Sequence, residues 1–147
     1  PTSSVINVGY TDDANGSGSD YIGYAFAEKQ GYSKFGSYTG NGNADGTFVY
    51  LGFRPAWVMV KTTTDAGYNW VIYDNKRVGF NPDNDTLTAN GTRAEQTTGF
   101  GHIDMVSNGF KIRASTNDTN RSGNVFIYMA FAESPFTNSN GIPNNAR

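Results

Sequence analysis

Short runs of large apolar residues, each bounded by Gly, Asn, Asp or Pro, recur along the chain. Runs rich in Val, Ile, Phe, Tyr and Trp between such residues are typical of β-strands. No window has a convincing helical period, so we expect an all-β protein, an antiparallel β-sandwich of jelly-roll or concanavalin-like type. The predicted strands are Tyr21–Ala27, Thr47–Gly52, Ala56–Lys61, Tyr68–Tyr73, Ile103–Val106, Phe110–Arg113 and Val125–Ala132.

Two of these runs are nearly the same string, YIGYAFAE at Tyr21–Glu28 and FIYMAFAE at Phe126–Glu133. Neither has a polar face, which predicts two strands in equivalent environments, each covered on both sides. They either lie side by side in one sheet or close separate modules. In the second case a module runs from about Gly31 to Glu133, and Tyr21–Ala27 is a spare strand. Such a strand can add to an exposed sheet edge, in the same chain or on a neighbouring subunit.

The composition supports this fold class and argues against several classes of function. The chain has 18 Gly, 14% aromatic and only 16% charged residues, as expected of a β-domain whose loops carry its polarity. The formal charge of −2, with no run of basic residues, argues against nucleic-acid binding. There is no cysteine for disulfides or thiolate metal sites, and no apolar stretch long enough to span a membrane.

The domain organisation follows from the same pattern. Residues 1–20 contain a short apolar alternation and a Gly/Ser/Asp-rich piece, which predicts an extension or linker. Residues 21–136 form the predicted sandwich domain. Residues 137–147 are polar and interrupted by proline, which predicts a C-terminal tail that needs a partner to become ordered.

Catalytic and metal signals are weak. The single histidine, His102, stands in a Gly-rich turn near Asp104, without a nucleophile motif, so we expect a structural role and no enzyme activity. No cofactor is expected other than calcium. Asp13, Asn15 and Ser17, followed by Gly18, match the first half of a calcium loop but lack its closing Glu, which leaves a plain linker as the alternative.

A mixture of aromatic, amide and charged residues around the fourth predicted strand suits sugar binding. Rings would stack on the sugar while Asp, Asn and Arg bond its hydroxyls. The alternative is that Trp70 faces the core and Asp74-Asn75 form a turn. The candidate glycan-binding residues are Tyr68, Asn69, Trp70, Asp74, Asn75 and Arg77.

Three stretches together resemble a family: GYSKFGSYTGNGNADGTFVYLGFRPAWVMVK at residues 31–61, NWVIYDNKR at 69–77 and VFIYMAFAESPF at 125–136. The pattern is similar to that of an uncharacterised β-domain of tailed-phage virion proteins, common in marine and cyanobacterial phages. That domain often follows a laminin-G-like or concanavalin-like module. The resemblance implies a β-sandwich and a virion or extracellular location, with no known activity and no catalytic residues.

We therefore expect a non-enzymatic virion structural protein, such as a capsid decoration, tail or fibre component, which contacts itself and other virion proteins. The alternatives are a carbohydrate-binding module for host surface glycans and an extracellular filament subunit that assembles by strand donation. Sheet pairing and apolar contact would carry the assembly. The candidate assembly residues are Val5, Ile6, Val8, Tyr21, Ile22, Tyr24, Phe26, Phe136 and Ile142.

Overall fold

The computed structural model describes residues 4–9, 11–77, 81–83, 85–134 and 139–140, and within them the chain forms an antiparallel β-sandwich. One sheet has five strands in the order β1-β8-β3-β4-β5, and the other has three in the order β2-β7-β6. The elements are α1 (Asp12–Asn15), β1 (Ser33–Thr39), β2 (Phe48–Tyr50), β3 (Pro55–Thr62), β4 (Val71–Asp74), β5 (Leu87–Thr88), β6 (Ile103–Val106), β7 (Gly109–Ile112), α2 (Asn117–Asn120) and β8 (Val125–Ala132).

Alternation along the strands places the core between the two sheets. In β3, Val58 and Val60 are fully buried, and their neighbours Trp57 and Met59 point to the other side of the sheet. Successive side chains of a strand lie on opposite faces, so each strand has a core face and an outer face. The predicted all-β sandwich is confirmed.

The predicted strand at Tyr21–Ala27 is wrong. Every residue of this segment is exposed, and none belongs to a strand. The position that a β8-like sequence would take, between β1 and β3, is already filled by β8 itself. The sandwich strands run from Ser33 to Ala132 without this segment. This agrees with the second alternative above, in which a module of about Gly31 to Glu133 leaves Tyr21–Ala27 as a spare strand sequence.

The expected burial of both strings on two sides is also wrong. Phe126 and Ala130 of β8 are fully buried on the core face, but Ile127 on the outer face is 37% exposed. No second layer of the described chain covers this outer face completely. In β8, a run without polar residues therefore corresponds to one buried face and one partly exposed apolar face.

β1 is the strand that sequence patterning missed. Its sequence SKFGSYT contains two Ser and a Gly, which have low β propensity. It is a strand because it pairs along its whole length with β8, from Ser33 opposite Phe131 to Thr39 opposite Val125. Two four-residue helices, α1 and α2, were likewise not predicted.

A tight hairpin joins β6 and β7 through Ser107 and Asn108, with Val106 opposite Gly109. No positive φ occurs at Asn108 or Gly109, so the glycine is not needed for the turn conformation. A Cβ at Gly109 would instead lie 2.0 Å from the carbonyl oxygen of Val49. Glycine is therefore required by the close approach of β2.

Candidate interaction surface

Large apolar side chains line the outer side of the five-stranded sheet. Trp57 and Phe131 are opposite each other, and the next pair on the same side of the two strands is Met59 and Met129. Ile72 of β4 is opposite Met59 on the same side. We call these five residues the outer apolar face. All of them stay partly exposed, whereas outward positions of a sheet that faces water are normally polar.

Phe131 is the centre of an aromatic cluster on this face. Its ring makes edge-type or tilted contacts with Phe26, Tyr32, Phe35 and Trp57, at centroid distances of 5.6, 5.9, 6.1 and 5.7 Å. Such pairs contribute roughly 0.5–1.5 kcal/mol each beyond the area that they bury. These contacts within the chain order the aromatic part of the outer apolar face.

The end of β8 is fixed by the Glu of the AFAE string. The Glu133 carboxylate lies 3.5 Å from Arg54 Nε and accepts a hydrogen bond of 2.9 Å from Asn75 Nδ2. Its backbone N–H donates to the Arg54 carbonyl oxygen at 2.9 Å. Glu133 and the equivalent Glu28 of the first string are both exposed. The two strings differ because the second is the paired strand β8, whereas Tyr21–Ala27 belongs to no strand.

The segment Tyr21–Ala27 passes beside the outer apolar face instead of joining the sheet. Phe26 packs on Phe131, and Tyr24 and Phe26 line a groove of about 620 Å³ together with the outer apolar face and Ala89. Ile22 and Tyr24 are both 83% exposed. An exposed apolar segment next to an incompletely covered apolar face is the arrangement expected at a protein–protein contact.

The candidate glycan-binding residues do not converge on one pocket. Trp70 is half-buried on the outer side of the sheet, while Asp74 and Arg77 form an ion pair with a distance of 2.7 Å. Arg77 also contacts Glu95, and Asn75 donates to Glu133. Their polar groups are engaged within the chain.

The other two glycan candidates lie at the start of β4. Asn69 donates through its backbone to Asp118 Oδ1 at 3.4 Å and accepts from Asn90 Nδ2 at 3.4 Å. Tyr68 is half-buried beside it. β4 separates this pair from Asp74 by the length of the strand, so the six residues form two groups.

The candidate calcium residues are brought close together but not into a loop. Asp13 and Asn15 belong to the helical turn α1, Ser17 follows it, and all three are exposed. The described part of the chain contains no group of three or more His, Cys, Asp or Glu side chains that could hold a metal ion. Calcium binding at these residues stays a prediction.

His102 comes just before β6, Asp104 belongs to β6, and both contact Arg113. The His102 carbonyl oxygen accepts from the Arg113 backbone N–H at 2.7 Å, and Asp104 lies 3.3 Å from Arg113 Nε. Both residues thus take part in holding β6 against the end of β7.

The candidate assembly residues of the N-terminal part are all large exposed apolar side chains. Val5, Ile6, Val8 and Ile22 belong to no strand, and Tyr24 and Phe26 lie beside the outer apolar face. Tyr21 is partly engaged, because its hydroxyl donates to the Asp12 carbonyl oxygen and accepts from the Gly16 N–H at 2.9 Å. Phe136 and Ile142 lie outside the described residues.

A buried carboxyl was not singled out by sequence as a functional residue. Asp83 is 1% exposed, its backbone is paired with Ile103, and neither carboxylate oxygen has a hydrogen-bond partner of good geometry among the described residues. Burial raises the pKa of the Asp83 carboxyl to about 7. The backbone N–H of Asp85 opposes this rise, and the carboxylates of Asp74 and Asp85 add to it. The sequence signal was the acidic pair around Asn84, which alone did not indicate burial.

The fold and the surface together define a two-sheet β-sandwich module with an apolar outer face and an exposed apolar segment beside it. Residues 1–135 match the family described as "Domain of unknown function (DUF7483)", and the chain belongs to that family. No curated protein and no solved structure matches the chain. Among the described residues, no helix is both long enough and apolar enough to cross a membrane.

Proposed function

We propose that this chain is a non-enzymatic structural protein that assembles with further copies of itself through the outer apolar face. The observation that carries the proposal is the row of large apolar side chains on the outer side of β3, β4 and β8, the inner strands of the five-stranded sheet. Removing such side chains from water is the dominant driving force of protein association, at about 25 cal/mol per Å² of apolar surface.

The stiffness of the face supports the proposal. β8 is paired on both sides, with β1 and with β3, and its end is held by Glu133. A rigid, preformed surface loses little conformational entropy when it binds. The exposed Tyr24 extends the same apolar region beyond the sheet.

The setting that we propose is the virion surface, as a decoration, tail or fibre component. It rests on the resemblance of residues 31–61, 69–77 and 125–136 to tailed-phage virion domains. In that setting, weak contacts between identical subunits are repeated many times, and linked contacts strengthen each other. Other virion proteins would then be further partners.

The substitution Met59→Lys tests the proposal. It places a charge in the middle of the outer apolar face, where burial between two copies would leave the charge without a partner. We expect self-association to weaken roughly 100-fold, as for an interface that loses about 3 kcal/mol. Sedimentation velocity over a concentration series measures the change.

Phe48→Lys provides the matched control, because Phe48 is 45% exposed on the three-stranded sheet. It adds the same charge away from the outer apolar face, and we expect wild-type association. Circular dichroism checks that both variants keep the fold. The proposal fails if the wild-type chain stays monomeric at every concentration, or if Met59→Lys associates as the wild type does.

Carbohydrate binding is the second candidate, because Trp57 and Trp70 are both half-exposed on the outer side of the five-stranded sheet. Tryptophan rings stack on sugars, but hydroxyl recognition also needs available polar groups. The lining of the groove beside Trp57 is almost wholly apolar side chains. Oligosaccharide binding on a glycan array, lost in Trp70→Ala, would favour this candidate over assembly.

A further inference from the structure

β1 is an edge strand of the five-stranded sheet, so one side of β1 has no strand partner in the described chain. In an antiparallel ladder, the backbone groups of successive residues point alternately to the two sides of the strand. The Tyr32 carbonyl oxygen accepts from the Ala132 N–H, which places the groups of residue 32 on the β8 side. The groups of Ser33 point to the other side, where they pair with Lys29.

The same alternation directs the backbone groups of Phe35 and Ser37 to the free side of β1. Among the described residues, neither forms a hydrogen bond on that side. Two N–H and two C=O groups thus stand in a row along a strand edge, which is the arrangement that accepts an added strand.

The segment Tyr21–Ala27 has the sequence of a strand that pairs with β1. It reads YIGYAFA, and β8 reads FIYMAFA over Phe126–Ala132. β8 is antiparallel to β1, with Phe131 opposite Ser33 and Met129 opposite Phe35. Within one chain, the first copy of the string, Tyr21–Ala27, makes none of these pairings.

Pairing within one chain stops after its first step. Lys29 and Ser33 exchange two backbone hydrogen bonds, of 2.9 and 3.2 Å. The next step would bring the Phe35 N–H to the Ala27 carbonyl oxygen, but that bond is not formed, and the oxygen accepts from Ser33 Oγ at 2.9 Å instead. Continuing the register would also place Phe26 opposite Gly36 on the core side of β1. The Phe26 ring instead lies on the outer side against Phe131.

We propose that Tyr21–Ala27 of one copy adds as an antiparallel strand to the free edge of β1 in a second copy. In the register that β8 uses, Tyr24 lies opposite Phe35 and Ile22 opposite Ser37. Both pairs are hydrogen-bonded pairs, so the free groups of the edge are all used. Tyr24 and Ile22 then share the outer side with Phe35 and extend the outer apolar face across the contact.

This inference rests on the proposed self-assembly and names its mechanism. The turn between Lys29 and Ser33 is the hinge at which the segment leaves its own sandwich. When two copies each add this segment to the other's β1, both gain the same contact, as in the domain-swapped dimers that form at low cost. The free edge of β1 is covered in the process.

Cysteine crosslinking tests the register directly, since the chain has no cysteine. Ala25 lies opposite Lys34 in the proposed contact, in a non-hydrogen-bonded pair whose side chains are close. We expect Ala25→Cys and Lys34→Cys chains that carry different tags to form a mixed disulfide under mild oxidation. Tyr24→Pro, which removes the N–H that bonds Phe35, should abolish the crosslink. Gly23→Pro is the matched control and should keep it, because the Gly23 N–H points away from β1.

The double variant Ala25→Cys with Ser37→Cys tests the alternative, in which the segment pairs within its own chain. An intramolecular disulfide there, with no mixed disulfide between Ala25→Cys and Lys34→Cys chains, overturns the inference. If the wild type associates and Met59→Lys disrupts it, but the mixed disulfide is absent, strand addition is wrong and self-assembly stands. If the wild type never associates, both are wrong.

Discussion

Asn120→Ala should lower the free energy of unfolding by roughly 3 kcal/mol, because one buried amide holds three parts of the chain together. Asn120 is fully buried at the end of α2. Its Nδ2 has two hydrogens to share among three acceptors, Asn41 Oδ1 at 2.9 Å and the carbonyl oxygens of Asn43 and Ala114 at 2.8 Å each. Its Oδ1 accepts from the Asn41 N–H at 3.0 Å. The alanine variant leaves these groups without their partner.

Thermal and urea unfolding measure the effect, and for a chain of this size the melting temperature should fall by roughly 6–12 °C. Asn117→Ala is the matched control, because Asn117 is exposed on the same helix. It should change stability by less than about 0.5 kcal/mol. Equal stabilities for the two alanine variants would show that the hydrogen bonds of the Asn120 amide to Asn41, Asn43 and Ala114 do not stabilise the fold.

Asp83→Asn should stabilise the protein above pH 7 and change it little near pH 4. The pKa of Asp83 is raised from 3.8 to about 7 by burial, so the folded state keeps its proton longer than the unfolded state. In wild type, the protonated Asp83 carboxyl gives the folded state its full stability below about pH 4. That stability is lost as the pH rises to about 7, because the buried carboxyl must then ionise. The full difference corresponds to roughly 4 kcal/mol.

Urea unfolding of both proteins at pH 4.5 and pH 8 measures this difference. Asn has a similar shape and no charge, so its stability should not fall over this range through position 83. Asp20→Asn, at an exposed residue, controls for the loss of one negative charge. A stability difference between Asp83→Asn and wild type that is the same at both pH values would contradict the account.

The sandwich could be predicted because its central strands are patterned strongly. Val58 and Val60 alternate with Trp57 and Met59 in β3, and a run of this kind between turn residues is typical of a strand. β1 could not be predicted, because its Ser and Gly residues become a strand only through pairing with β8. Pairing is a long-range property that local propensity does not contain.

The interaction surface could be predicted only in part. The repeated string marked both β8 and the segment Tyr21–Ala27 as unusual, and the exposed Ile22 and Tyr24 were among the candidate assembly residues. A strand sequence without a polar face, however, has two explanations: both faces are buried, or one face is an exposed apolar surface. Only the sheet order, with no described layer over Met59 and Met129, distinguishes them.

The three methionines of the chain provide the most direct test of the central claim, that the outer apolar face joins copies of this protein. Met59 and Met129 lie on that face, and Met105 is fully buried in the core. Hydrogen peroxide oxidation, followed by mass spectrometry, should modify Met59 and Met129 in dilute protein and spare both at assembling concentrations, with Met105 unmodified throughout. Oxidation of Met59 and Met129 at the same rate at every concentration would contradict the account.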